Sequence, residues 1–281
     1  MTTQVAFVGT GSMNGAIASG LLASGFDPEK VRATVRSAAS AEKLVDKLGD
    51  GGEKVKIFSA ESSATANRDA VSGVDAVLVG VKPYDVLEVV RDFADSLDSQ
   101  TLVISVAAGV PLDSLQKAAG ENQPVIRCMP NTPSRVGKGV LAISSGSTVT
   151  EEQKELAESL LSAVGEVVQV EEEQMDAVTA VSGSGPAYAF LLAETMAKAG
   201  VELGFDRETA TKLAAATVAG AGALLDSDPN PEDLRKAVTS PGGTTEQAIK
   251  TYQEGGLEEL TLKAMRACAE KSAQMSKEYA E

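Results

Sequence analysis

Chemistry in this chain begins where the apolar run Val5-Ala6-Phe7-Val8 enters Gly9-Thr10-Gly11-Ser12-Met13-Asn14-Gly15. A strand, closely spaced glycines and a helix start form the pattern that cradles a dinucleotide pyrophosphate. Gly9 permits the tight turn, and Gly11 lets backbone approach phosphates at the positive end of the helix. A plain tight turn is the alternative, but placement at the first strand of an α/β chain favours the dinucleotide. The third fingerprint glycine falls at position 14, where the chain carries Asn14, with Gly15 one step late. The second strand ends Ala33-Thr34-Val35-Arg36-Ser37, with no acid to grip a ribose 2′-hydroxyl. Arg36 and Ser37 suit a 2′-phosphate, by charge and by hydroxyl donation; a solvated loop cation is the other reading of Arg36. NADPH is the expected cofactor, with NADH a weaker one.

Three further segments carry residues placed to act. Gly80-Val81-Lys82-Pro83 follows a buried strand and so lies at the carboxyl edge, where open sheets bind ligands. Arg127-Cys128-Met129-Pro130-Asn131-Thr132-Pro133 reads as a stiff loop at the same edge. Ser240-Pro241-Gly242-Gly243-Thr244-Thr245 sets a glycine pair among hydroxyls at the start of a helix. Free N–H groups plus hydroxyl donors there make a neutral cradle for a carboxylate. A proline-glycine turn with threonine caps is the plain alternative.

Composition narrows the chemistry. The 281 residues contain no histidine, which excludes Ser-His-Asp triads and histidine-based dehydrogenase chemistry. No metal site is expected. A net charge of −15 argues against nucleic acid and requires local donors for any anionic substrate. Two cysteines, Cys128 and Cys268, make no disulfide framework and point to a reducing compartment. The start lacks a basic leader pattern, and the longest apolar run, Leu213–Leu225, is shorter than the ~20 residues of a membrane span. A cytoplasmic protein without a membrane partner is expected.

The elements that must position these residues differ between the two halves. Val5–Val8, Val31–Val35, Val55–Phe58, Ala76–Val79, Leu102–Val106, Val125–Cys128, Val140–Ile143 and Val167–Val170 read as strands of a covered parallel sheet. Helices such as Asn14–Ser24 and Ala41–Leu48 alternate with them, which predicts an α/β, Rossmann-type doubly wound sheet over residues 1–171. Residues 172–281 read as all-α: Met175–Val181, Pro186–Leu203, Arg207–Leu225, Pro231–Val238, Thr244–Glu254 and Leu257–Tyr279. The small-residue run Ala214–Ala223 implies close approach by neighbouring helices, from a second subunit or from its own core.

Together these motifs resemble the pyrroline-5-carboxylate reductase family. The likeness spans nearly the whole chain. It rests on the glycine turn, Val81-Lys82-Pro83, Ser105-Val106-Ala107-Ala108-Gly109, Met129-Pro130-Asn131-Thr132-Pro133, Gly183-Ser184-Gly185-Pro186-Ala187-Tyr188 and, most specifically, Val238–Thr245. The resemblance implies that Gly9, Thr10, Gly11, Ser12 and Met13 wrap the pyrophosphate. Arg36, Ser37 and Asn67 would face the adenosine ribose and its 2′-phosphate. Gly80, Val81, Lys82 and Pro83, with Val106, Ala107 and Ala108, would line the nicotinamide side. The substrate carboxylate would rest on Ser240, Gly242, Gly243, Thr244 and Thr245, in a C-terminal dimerisation domain. A homodimer or higher oligomer, its subunits completing each other's sites, is implied.

The implied reaction is hydride transfer to the C=N carbon of 1-pyrroline-5-carboxylate, giving L-proline. An imine basic enough to arrive protonated needs orientation more than a strong acid. Thr245 is the candidate donor to the ring nitrogen; holding the carboxylate or capping the helix is its alternative role. Lys82 is expected to brace the loop and cofactor, and Tyr84, Tyr188 and Tyr252 to pack. A β-hydroxyacid dehydrogenase and a non-catalytic NADPH sensor are the rivals, and the Ser240–Thr245 cradle speaks against both.

Overall fold

The computed structural model describes residues 3–280. Met1, Thr2 and Glu281, which the sequence reading places at the outer ends of its two domains, lie outside the described residues. The chain divides into two compact units, Met1–Gly183 with Cys268–Glu281, and Ser184–Ala267.

In the first unit the order is β1 (Val5–Val8), α1 (Ser12–Ala23), β2 (Val31–Val35), α2 (Ala38–Leu48), β3 (Lys56–Ser59) and α3 (Ala66–Val71). There follow β4 (Ala76–Val79), α4 (Val86–Phe93), β5 (Leu102–Ser105), α5 (Leu112–Ala119), β6 (Val125–Pro130) and β7 (Gly139–Ser145). Then come α6 (Glu151–Leu161), β8 (Gly165–Gln169) and α7 (Met175–Val178). The strands form one sheet in the order β3-β2-β1-β4-β5-β6-β7-β8. Successive strand residues face opposite sides. Val5 and Phe7 therefore join Leu78, Ile104 and the α1 residues Ile17 and Leu21 on one face. Ala6 and Val8 join Val77, Val103 and the α4 residues Val86 and Val90 on the other. Both faces are covered, as the doubly wound α/β reading requires.

One departure concerns orientation. β6 pairs with β7 antiparallel, in the register Cys128↔Ile143 and Met129↔Ala142, although the other pairs are parallel. Consequently Arg127–Pro130, read from sequence as part of a stiff loop, belongs to β6; only Asn131-Thr132-Pro133 begins the turn. Asn131 fixes that turn from inside: its Oδ1 accepts from Val140 N at 2.9 Å and its Nδ2 donates to Ser182 O at 3.0 Å. Buried Arg127 donates to Glu172 Oε1 at 2.5 Å, and the same oxygen accepts from Leu112 N. A buried, one-sided truncation of such a pair leaves an uncompensated charge, so it anchors the segment after β8 firmly.

The second unit holds α8 (Gly185–Glu202), α9 (Arg207–Ser227), α10 (Pro231–Ala237) and α11 (Thr244–Glu254), with α12 (Leu257–Glu278) entering it. A π turn at Thr179–Gly183 leads up to Pro186, which sits in the first turn of α8, where its missing N–H is harmless. Asp206 caps α9 by accepting from Thr209 N, and Asn230 caps α10 by accepting from Asp233 N. α8 approaches α9 through small residues: a Cβ on Gly200 would lie 3.1 Å from Ala210 Cβ. From Cys268 onward α12 rejoins the first unit, where Ser272 donates to Asp176 and Tyr279 packs on the sheet's second apolar layer. The sequence reading separates the halves at residues 171 and 172. The compact units part at Gly183, the short segment between these two points and the end of α12 packing with the sheet.

Candidate active site

β2 and β4 leave β1 on opposite sides, so the sheet order reverses at β1/β4, the switch point outside which open α/β sheets bind ligands. A cleft of about 860 Å³ lies there. Its walls carry Gly9–Met13 of the glycine turn, Arg36, Asn67, Gly80–Pro83 and Val106–Ala108. These are the residues assigned to the cofactor from sequence, with one exception. Ser37 is not on the wall; its hydroxyl caps α2, accepting from Ser40 N at 3.3 Å, and Ser40 lines the cleft instead.

The glycine turn is shaped by close contact. Gly9 adopts φ +72°, and a Cβ there would stand 2.3 Å from Val81 Cγ1 and 3.0 Å from Val81 N. Gly11 lines the cleft, and a Cβ on it would meet no protein atom within 4 Å. No side chain caps α1, so its first-turn N–H groups remain for a ligand. An open, uncapped helix start bordered by glycine backbone fits a pyrophosphate.

Asn14, the departure from the glycine pattern, is fully buried. Its Nδ2 donates to Val8 O at 3.1 Å and Leu78 O at 3.0 Å, tying the ends of β1 and β4 beneath the cleft. Gly80 makes room for it: a Cβ at Gly80 would fall 2.5 Å from Asn14 Cγ. The late glycine is explained as well. Gly15 leaves space for Lys47, whose Nζ donates to Gly11 O and Ser12 O at 3.1 Å each. Burial, and then the neighbouring Arg135 cation, push the Lys47 ammonium below the usual lysine range. Lys47 escaped the sequence reading because it acts across 35 residues and belongs to no motif.

Lys82 lines the cleft and is exposed, just ahead of the turn at Pro83. Tyr84 and Tyr252, expected to pack, are instead 69% and 48% exposed.

The second constellation lies in the helical unit. Gly242 takes φ +71°, and Gly243 N donates to Ser240 O at 3.0 Å, closing a turn onto α11. Neither Thr244 nor Thr245 caps this helix, whose Ncap Gly243 has no side-chain bond. The cradle is not wholly free, however. Glu246 reaches back and accepts from Gly242 N at 2.8 Å, a carboxylate already seated where the sequence reading places the substrate's. Among the described residues no cluster of potential metal ligands occurs.

Residues 4–109 match a family model described as NADP oxidoreductase, coenzyme F420-dependent, and residues 172–275 match one for pyrroline-5-carboxylate reductase dimerisation. With the switch-point cleft and its glycine turn, this defines an NAD(P)H-dependent oxidoreductase with a helical second half. The chain belongs to the pyrroline-5-carboxylate reductase family. It is 39% identical to the pyrroline-5-carboxylate reductase of Corynebacterium melassecola, over 98% of this chain and 99% of that one. It is likewise 39% identical to that of Pseudomonas aeruginosa, over 99% and 98%. Among solved structures, a Coxiella burnetii pyrroline-5-carboxylate reductase superposes with a TM-score of 0.89 at 38% identity, covering 98% and 99% of the two chains. A Plasmodium falciparum pyrroline carboxylate reductase with NADP bound gives 0.79 at 26% identity, covering 98% of each.

Proposed function

We propose that this chain reduces 1-pyrroline-5-carboxylate to L-proline, the last step of proline biosynthesis. NADPH is its preferred cofactor and NADH a weaker one. The observation that carries the reading is the uncapped start of α11 at Gly242–Thr245, a carboxylate cradle in a chain that also owns a dinucleotide cleft.

When bound, NADPH supplies the hydride that reduces the C=N carbon. The chain's own residues do the rest. Gly9–Met13 and the open start of α1 would hold the pyrophosphate, and Arg36 with Asn67 the adenosine ribose and its phosphate. Val81-Lys82-Pro83 and Val106-Ala107-Ala108 would seat the nicotinamide side. Ser240, Gly242, Gly243, Thr244 and Thr245 would take the substrate carboxylate, with Glu246 leaving Gly242 N–H as it arrives. Thr245 Oγ would donate a hydrogen bond to the ring nitrogen as hydride addition returns a lone pair to it. The imine arrives protonated, so the nitrogen keeps its proton and hydride addition alone completes the amine.

The helical unit would pair with a second copy of the chain. Phe190 and Leu191 of α8 are 67% and 60% exposed, and no residue of α8 is buried. Apolar surface of that kind marks an association site. A reducing cytoplasm suits a chain with only two cysteines, Cys128 and Cys268, the first raised far above the usual thiol range by burial.

The decisive experiment mixes purified protein with NADPH and 1-pyrroline-5-carboxylate and follows cofactor absorbance. Oxidation with proline as product is expected. No oxidation across several buffers, with either dinucleotide, would refute the reading. A six-membered cyclic imine acid run in parallel defines ring preference.

A further inference from the structure

The carboxyl end of β2 carries no acid, yet the structure brings one there from β3. Beyond Ser59 the ladder continues: Ala60 N donates to Val35 O at 2.9 Å and Glu61 N to Arg36 O at 3.0 Å. This places Glu61 one residue past Ala60, which stands opposite Arg36, and so just behind the cleft wall. Its side chain then turns over the start of α2, where Oε2 accepts from Ala38 N at 3.3 Å. Ala38 is the first residue of α2, and its N–H is one of the orphan donors of that helix end. Ser37 Oγ already serves another, Ser40 N, so a phosphate at this helix start would reach the Ala38 N–H only by displacing Glu61. Arg36 makes no ion pair among the described residues and lines the cleft with Ser40, Ala60 and Asn67.

We propose that Glu61 is a specificity-determining residue for the cofactor, its carboxylate holding the α2 helix start against a 2′-phosphate and accepting from a ribose 2′-hydroxyl. The inference rests on the dinucleotide reading of the cleft. The physical basis is that one anion already occupies the positive helix end, so a second must displace it or be repelled. An acid that meets the 2′-hydroxyl is the usual device for selecting NADH. Here it comes from the strand next to the customary one and stands beside an arginine that attracts the phosphate. The two side chains pull in opposite directions, and together they hold the chain's NADPH preference below what Arg36 alone would give.

The test separates cofactor recognition from turnover. Adenosine 2′,5′-bisphosphate and 5′-AMP are titrated calorimetrically into the wild type, Glu61→Gln, Glu61→Ala and Arg36→Gln. Glu61→Gln keeps the hydrogen-bonding shape and removes the charge. It should tighten the bisphosphate by about fivefold or more at low salt while leaving 5′-AMP within about twofold, and the gain should shrink as salt screens the pair. Arg36→Gln should weaken the bisphosphate selectively. Initial rates with NADPH and NADH should shift in the same sense, raising the kcat/KM ratio for NADPH over NADH in both Glu61 variants. Glu61 is exposed and outside every helix and strand, so the variants should fold as the wild type does. Unchanged affinity for the bisphosphate in both Glu61 variants overturns the proposal. Failure of the wild type to bind either nucleotide overturns the cleft reading itself, and this inference with it. Binding of the nucleotides without turnover of the imine removes only the proposed reaction.

Discussion

Helices α1 and α8 are built from the same small and apolar residues, yet seven residues of α1 are buried and none of α8 is. The first lies on a sheet whose both faces are closed by the chain's own helices. The second presents Phe190, Leu191 and Leu192 outward. The contrast separates two ways of making a core. The sheet unit completes its own, so its site geometry is set by contacts such as Asn14 to Val8 and Leu78. The helical unit leaves its apolar surface exposed, in keeping with its match to a dimerisation family.

The most severe disruption should come from Phe190→Asp. A charge in the centre of an association face should weaken the dimer by about a hundredfold or more. Sedimentation should show monomer and activity should collapse, while 5′-AMP binding to the sheet unit survives. Loss of nucleotide binding in that monomer would mean that the sheet unit is not self-sufficient.

Next in size is Gly80→Ala, aimed at the unit that closes on itself. The new Cβ overlaps Asn14, and overpacking of this kind costs about 1–3 kcal/mol. Thermal or denaturant unfolding should register it, and because Asn14→Ala also destabilises, the double variant Asn14→Ala/Gly80→Ala should lose less than the sum of the two single variants. If the two losses simply add, the Asn14–Gly80 contact does not account for the effect of Gly80→Ala.

At the start of α11 smaller changes are expected, since no residue from Ser240 to Glu246 is buried. Thr245→Ala should lower kcat about tenfold, the size of one lost hydrogen bond. An unchanged kcat with a raised KM would assign Thr245 to carboxylate holding instead. The mildest is Glu246→Gln, which removes the charge competing for Gly242 N–H. Substrate KM should fall about two- to fivefold, in keeping with the modest worth of exposed charge interactions. A KM that stays put or rises would mean that Glu246 shapes the turn rather than contests it.

Much of this was legible in the sequence because it is local. Period and composition placed the strands to within a residue or two, and the glycine turn marked its own end of the sheet. Orientation of β7 was less visible, since Val140–Ile143 is apolar whichever way it runs. The clue lay in the connection: Asn131–Lys138 is too short for the crossover of about a dozen residues that a parallel pair requires. Lys47 and Glu61 could not be read, because their partners, Gly11 and Ala38, lie far off in sequence. Glu246 could have been: an acid in the third position of a helix commonly reaches back to the donors at its start. Asn14 looked like a blemish in the fingerprint because its counterpart, Gly80, is 66 positions away.

The return of α12 to the sheet unit bears on how the chain is made. Ser114 Oγ donates to Ala280 O, and a Cβ on Gly109 would lie 3.2 Å from Tyr279 Cδ2. Residues 268–280 thus cover the end of a layer begun at β1, and they leave the ribosome only after the whole helical unit has emerged. During synthesis the nucleotide-binding half therefore waits, with its second apolar layer incompletely covered, until the helical unit has been made.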